Sequence, residues 1–192
     1  MPLVFVTRAD AEIWLNMSNW KSFVVILAIA VAASMSPANA QEKVRSVAVE
    51  KDWSVFENDE QCWVFSAPTS SENTRGGRPA DVRRGEIGLF VGVQKGASQN
   101  ATVSFSGGYP FRKDSVRVSL GSSSFTFLTG EKGLAVEWAW PLPIDEEKVI
   151  DGLKRGNRAI VTGVSQRGTN TKDTFSLLGF TAALEQAVSR CK

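Results

Sequence analysis

The feature that most constrains this chain is a succession of short runs in which apolar and polar residues alternate, each ended by turn residues. Val103 and Phe105 alternate within Ala101–Ser106, Val116, Val118 and Leu120 within Ser115–Leu120, and Phe125 and Phe127 within Ser124–Leu128. Ile87, Leu89, Val91 and Val93 do the same across Glu86–Gln94. A period of two places one set of side chains on a single face of a strand. Gly107-Gly108-Tyr109-Pro110 and Leu120-Gly121-Ser122-Ser123 separate the runs with turn chemistry. With Val47–Phe56, Gln61–Ser66, Leu134–Trp140, Ala159–Val164 and Asp173–Leu178, the count reaches about nine short strands. Residues 67–80 carry no apolar period and read as a loop. Gly88 and Gly92 on the other face of their run predict something packed close against them.

Two short helices interrupt the strands late in the chain. Glu146–Lys154 has Asp145 as its expected N-cap, acids in its first turn and Gly156 as a stop. Residues 181–190 form the second, with Phe180, Leu184, Ala187, Val188 and Cys191 on one face. Strands and helices do not alternate. The expected fold is therefore mainly β: an antiparallel β-sandwich or partly closed barrel.

The N-terminal part follows a different plan. Phe23–Ala33 is an apolar run too short to span a bilayer and suited to the core of a signal peptide. Lys21 precedes it, and Ala38 and Ala40 form an A-x-A cleavage site with Gln41 as the new N-terminus. Residues 17–40 thus read as a signal peptide, residues 41–192 as one β-rich domain, and residues 1–16 as an extension preceding the true start at Met17. A tryptic peptide from residues 1–16 in cell extracts would contradict that start. Glutamine rather than cysteine at position 41 predicts no lipid anchor, and the rest of the chain has no apolar run long enough for a transmembrane span. In an oxidising compartment, Cys62 and Cys191 are most simply one disulfide closing a loop of about 130 residues; free thiols or a redox pair are the alternatives.

The chain contains no histidine. That removes a Ser-His-Asp triad, a Cys-His dyad and a His-ligated zinc, and leaves Ser-Lys or paired-carboxylate chemistry. The formal net charge is +2. Losing residues 1–40 removes Arg8, Lys21, Asp10 and Glu12, which cancel, so the balance is unchanged. Such a balance argues for no nucleic-acid partner. No cofactor or metal motif is present.

Several groupings have both a chemical and a plain reading. Arg75, Arg78, Arg83 and Arg84 surround Gly76-Gly77 and Gly85 and could grip an anion or a partner; a solvated loop with local ion pairs to Asp81 or Glu86 is the plain account. Tyr109-Pro110-Phe111 reads as a turn and plug closing the sandwich, or as an exposed aromatic contact. Trp138 and Trp140, like Trp53 and Trp63, read as core packing, with a sugar-stacking platform as the alternative. Glu131, Glu137, Asp145, Glu146 and Glu147 are the nearest approach to a glycosidase-like acid cluster, but the adjacent acids opening a helix are better explained by its dipole. The polar run Ser165–Thr174 reads as a hairpin turn, or as a Ser-Lys site using Lys172.

These last residues carry a family resemblance. Gly108–Phe111, Lys154–Asn157 and above all Gly163–Ala183, followed by a late cysteine, resemble the invasion-associated locus B family of exported bacterial proteins. The specific string comprises Ser165, Arg167, Gly168, Thr169, Asp173, Thr174, Ser176, Gly179 and Phe180, with Tyr109, Pro110 and Phe111 upstream. The resemblance spans about Trp53 to Cys191. It implies a periplasmic or outer-membrane-associated, mainly β protein, and the family has no agreed catalytic residues to carry over. The expected function is non-enzymatic: binding or structure in the envelope, with an envelope protein or a host surface as partner. An assembly or chaperone-like factor is the first alternative and a Ser-Lys or paired-carboxylate hydrolase the second.

Overall fold

A computed structural model of the protein describes residues 44–96, 101–130 and 136–192. The expected leader, the Ala40–Gln41 junction, Glu131 and the start of the run from Leu134 lie outside the described residues.

Among the described residues the domain is one antiparallel sheet of twelve strands. In chain order they are β1 (Arg45–Glu50), β2 (Trp53–Glu57), β3 (Gln61–Ser66), β4 (Ser70–Arg75), β5 (Arg78–Pro79) and β6 (Gly88–Gln94). They continue as β7 (Ala101–Ser106), β8 (Val116–Leu120), β9 (Ser123–Thr129), β10 (Trp138–Pro141), β11 (Arg158–Val164) and β12 (Asn170–Ser176). The spatial order is β1-β2-β3-β6-β7-β10-β9-β8-β11-β12-β4-β5. The sheet bends so that its inner face meets itself: the rings of Phe105 on β7 and Phe175 on β12 lie 6.0 Å apart although four strands separate them in the ladder. Its end strands, β1 and β5, are not paired with each other, so the barrel is open.

The mainly β architecture with two helices matches the sequence expectation, but the strand count rises from about nine to twelve. The run Val47–Phe56 is two strands, because Lys51 takes φ 56° and turns the chain between β1 and β2. The stretch 67–80 is not a loop. It forms the hairpin β4–β5, with Gly76 and Gly77 at φ 59° and 75°, the left-handed pair that a tight two-residue turn requires. Its strands are polar because they lie at the sheet's edge and are largely exposed, which erases the alternation.

The alternating positions line the interior. Val64, Leu89, Val91, Val103, Phe105, Val116, Val118, Phe127, Val161 and Phe175 are all buried. Helix α1 (Glu146–Arg155) contacts β7 and β8 and buries Val149 and Leu153. Asp145 occupies the N-cap position as expected but makes no capping hydrogen bond: its side chain pairs with Lys148 at 3.0 Å, and a 3-10 turn, Pro143–Asp145, leads into the helix. The Glu146 carboxylate accepts the Val103 N–H of β7, while burial raises its pKa against the lowering effect of that bond.

Helix α2 (Phe180–Arg190) covers β2 and β3 through Phe180, Ala183, Leu184 and Ala187. Phe180 meets Trp53 edge to face with centroids 4.8 Å apart, and the Trp53 indole N–H donates to the Ser176 carbonyl at 3.1 Å. At the end of α2, Cys191 is bonded to Cys62 of β3. Gly179 starts the helix at φ 92°, and a Cβ there would overlap the Glu50 carbonyl oxygen. Gly179→Ala is expected to cost about 1–3 kcal/mol through backbone strain and this clash. Thermal unfolding checks it, and an unchanged midpoint would contradict the packing of α2 on the β1–β2 turn.

The tryptophans divide between the faces. Trp53 is fully buried. Trp63 and Trp138 are not core residues: Val64 and Ala139 beside them point inward, so period two turns the tryptophans outward. There they are half-buried in aromatic contacts, Trp63 stacked on Phe56 and Trp138 against Phe90, which in turn meets Phe65. Gly88 is required by this outer layer, since a Cβ would collide with Phe65 and Phe90. Gly92 is not; nothing lies within 4 Å of its Cβ position.

Candidate functional site

Part of the specific string, Ser165, Arg167, Thr169 and Asp173, comes together with Tyr109 and Pro110 around β12 and the turn that precedes it. Along β12 the inward positions are Thr171, Asp173 and Phe175, so period two drives a carboxylate into the core. Its partner is Arg84, 89 residues earlier in the chain. The guanidinium donates to both Asp173 oxygens, at 2.7 and 2.6 Å, and the side chains are 6% and 0% exposed respectively. Ser71 Oγ of β4 donates to the same carboxylate at 2.7 Å, and Arg84 Nε donates to the Gly107 carbonyl at 3.0 Å. A buried pair of this kind is tolerated only when the remaining polar atoms are also satisfied.

Tyr109 lies over Arg84, with the guanidinium carbon 5.0 Å from its ring centroid. Its hydroxyl is 2.6 Å from Thr171 Oγ1, and Thr171 can donate onward to the Gly163 carbonyl at 3.4 Å. The ring meets Phe111 edge to face. Tyr109 and Phe111 are buried, so the turn-and-plug reading describes them correctly. Gly163 is needed beneath them, because a Cβ would come within 2.7 Å of the Tyr109 hydroxyl. Gly108, at φ 68°, lets the backbone pass directly against Gly85.

Burial pushes the Tyr109 phenol up to about 12; the Thr171 hydrogen bond and the Arg84 charge lower it, and the Asp173 charge raises it. The folded phenol therefore stays neutral at a pH where the unfolded one, near 10, has ionised. Stability is expected to fall by about 2–3 kcal/mol as pH rises through that interval, because the unfolded state loses its proton first. The chain has one tyrosine, so tyrosinate absorbance reports this group alone. A midpoint near 10 in the folded protein would contradict its burial.

The turn between β11 and β12 completes the site. Ser165 is buried; its Oγ accepts the Thr169 N–H at 3.0 Å, and its own N–H donates to the Thr169 carbonyl at 2.9 Å. Gln166 N–H donates to the Pro110 carbonyl, tying this turn to the Tyr109 plug. Arg75 of β4 donates from Nε and Nη2 to Thr169 Oγ1 at 3.2 and 2.6 Å. Above this floor opens a cleft of about 610 Å³. Arg75, Arg83 and Arg167 line it and are exposed, together with Asp81 and Glu137. Among the described residues, none of these three arginines has a carboxylate within ion-pair distance.

The arginine cluster read from the sequence is thus divided. Arg75 and Arg83 reach the cleft, Arg84 is a buried structural cation, and Arg78 stands opposite Arg75 on β5, exposed and outside the cleft lining. The local partners Asp81 and Glu86 are not used by Arg84; Asp173 is. Thr174, Ser176, Gly179 and Phe180 lie elsewhere. The Thr174 carbonyl accepts from Thr69, and the other three hold Trp53 and α2. Ser165 and Lys172 are not brought together: Lys172 Nζ points outward to Glu72 at 3.0 Å.

The fold has a solved counterpart. The crystal structure of invasion associated protein B from Bartonella henselae superposes with a TM-score of 0.50 at 13% identity, covering 74% of this chain and 95% of that one. At that identity the likeness shows a distant fold relationship alone. No protein-family model and no curated protein sequence matches the chain.

Proposed function

We propose that the protein is a non-enzymatic, exported envelope protein of the invasion-associated locus B type. Its cleft recognises another envelope component or a host surface. The carrying observation is how the ionisable groups of the cleft are used. Arg84 and Asp173 neutralise each other in a bidentate pair, Tyr109 is held neutral, and the groups left facing solvent are Asp81, Glu137 and three arginines that have no ion-pair partner among the described residues. Fixed guanidinium groups suit recognition of anions. They have no proton to exchange near neutral pH.

Export is supported by the leader-like residues 17–40 and by the Cys62–Cys191 disulfide, a bond that persists in oxidising compartments. The distant fold likeness to invasion associated protein B agrees with the sequence resemblance. The Ser-Lys form of the hydrolase alternative has less behind it, since Ser165 and Lys172 are each engaged elsewhere; the paired-carboxylate form would have to use Asp81 and Glu137 of the cleft.

Cosedimentation with isolated envelopes of the producing cells tests the proposal. Saturable retention is expected, reduced by Arg83→Glu/Arg167→Glu, with no fragments released from the envelopes. Release of soluble fragments, or retention indifferent to the charge reversals, would contradict it.

A second reading, an assembly factor offering a sheet edge, draws on β1. This six-residue strand ends the sheet with Val49 exposed, whereas the opposite end is closed off by the two-residue β5 and its Pro79. A proline in the centre of β1, Ala48→Pro, should abolish such an activity and leave cleft-dependent retention in place.

A further inference from the structure

We infer that the cleft takes an acidic saccharide, binding its carboxylate or phosphate through the arginines of the rim. This rests on the proposed recognition role and names its ligand class. Three observations carry it: charge, preorganisation and lining.

The charge is local and uncommitted. Arg84 is neutralised from below by Asp173, so the field of the cleft comes from its rim, where Arg75, Arg83 and Arg167 face Asp81 and Glu137. The balance is positive, and none of the three arginines is ion-paired among the described residues. A guanidinium presents planar pairs of N–H groups that match the two oxygens of a carboxylate or phosphate.

Preorganisation is visible at Arg75. Its Nε and Nη2 both donate to Thr169 Oγ1, and Thr169 is fixed in turn by two hydrogen bonds with Ser165. Among the described residues Nη1 makes no hydrogen bond and is left to meet a ligand. A side chain already held in place loses less freedom on binding.

The lining selects the body that carries the anion. Gln166 contributes an exposed amide beside the arginines, Ser165, Thr169 and Thr171 form a polar floor already bonded within the protein, and Val82 and Pro110 are the small apolar contribution. The Tyr109 ring packs against Arg84 and Phe111 and is only 9% exposed, so it offers little surface to an aromatic ligand. A cleft of about 610 Å³ exceeds what a lone inorganic anion would fill. A hydroxyl-rich ring bearing an acid matches both the polar lining and the charge; an apolar peptide matches neither.

Calorimetric titration of the folded, disulfide-bonded protein with trigalacturonic acid, glucose 6-phosphate and maltotriose tests the inference. Saturable binding of at least one acidic probe is expected, with maltotriose weaker by about tenfold or more. Arg83→Glu and Arg167→Glu are each expected to weaken the acidic probe by about tenfold or more, with unchanged tryptophan-fluorescence melting. Binding of trigalacturonic acid alone identifies a carboxylate site, and of glucose 6-phosphate alone a phosphate site. Failure of both acidic probes, equal binding of maltotriose, or indifference to both charge reversals would overturn the inference. If the acidic probes fail while envelope cosedimentation persists, the ligand class is wrong and the recognition role stands. If cosedimentation fails as well, both fall.

Discussion

Replacing Asp173 with alanine is expected to destabilise the protein by about 3–5 kcal/mol, as much as truncating a large buried side chain. Asp173 is fully buried and accepts three hydrogen bonds, two from Arg84 and one from Ser71. Its removal strands a guanidinium that is 6% exposed beneath the Tyr109 ring. The double variant Asp173→Ala/Arg84→Met should lose less than Asp173→Ala alone, because no buried charge remains. It should still lose something, since the Gly107 carbonyl and the Ser71 hydroxyl give up their partners. Urea unfolding followed by tryptophan fluorescence measures both. A loss below about 1 kcal/mol for Asp173→Ala would show that the pair behaves as a solvated surface bridge.

Breaking the disulfide is the second large effect. Cys62 and Cys191 are 129 residues apart, so the bond restrains nearly the whole domain in its unfolded state. Chain-entropy reasoning puts its contribution at about 4–5 kcal/mol, and losses of native disulfides from small domains usually fall at about 2–5 kcal/mol. In Cys62→Ala/Cys191→Ala the urea midpoint should drop accordingly. Amide exchange should accelerate most in α2, whose end the bond ties to β3. An unchanged midpoint, or protection lost first in β8 or β11, would contradict this role.

Where the alternation is uninterrupted, the strands are legible in the sequence. The inner positions of β6, β7 and β8 are the buried ones, as their period predicts. The hairpin β4–β5 was not legible, because an exposed edge strand needs no apolar face, and Ser70–Arg75 contains none. Only Gly76-Gly77 signals its turn. At the site, the arginine cluster was visible but its division was not. Arg84 and Arg83 are adjacent and chemically identical, and only the fold decides which one meets Asp173. A signal did exist in β12. Reading Thr169, Thr171, Asp173 and Phe175 as one inward row places an ionisable side chain among buried ones, which calls for a buried counter-charge. The tryptophans mislead for the opposite reason: their bulk suggests a core, while the small residues beside them, such as Ala139, are what face it.

Recognition is expected to run through the arginine-rimmed cleft. The most direct measurement places a photoreactive amino acid at Gln166, exposed on the rim, and a control at Ser122, exposed between β8 and β9, in intact producing cells. Irradiation and mass spectrometry should yield a reproducible adduct with an envelope component from Gln166 and not from Ser122, and Arg83→Glu/Arg167→Glu should abolish it. Equal capture from both positions, or nothing above background from Gln166, would contradict the claim.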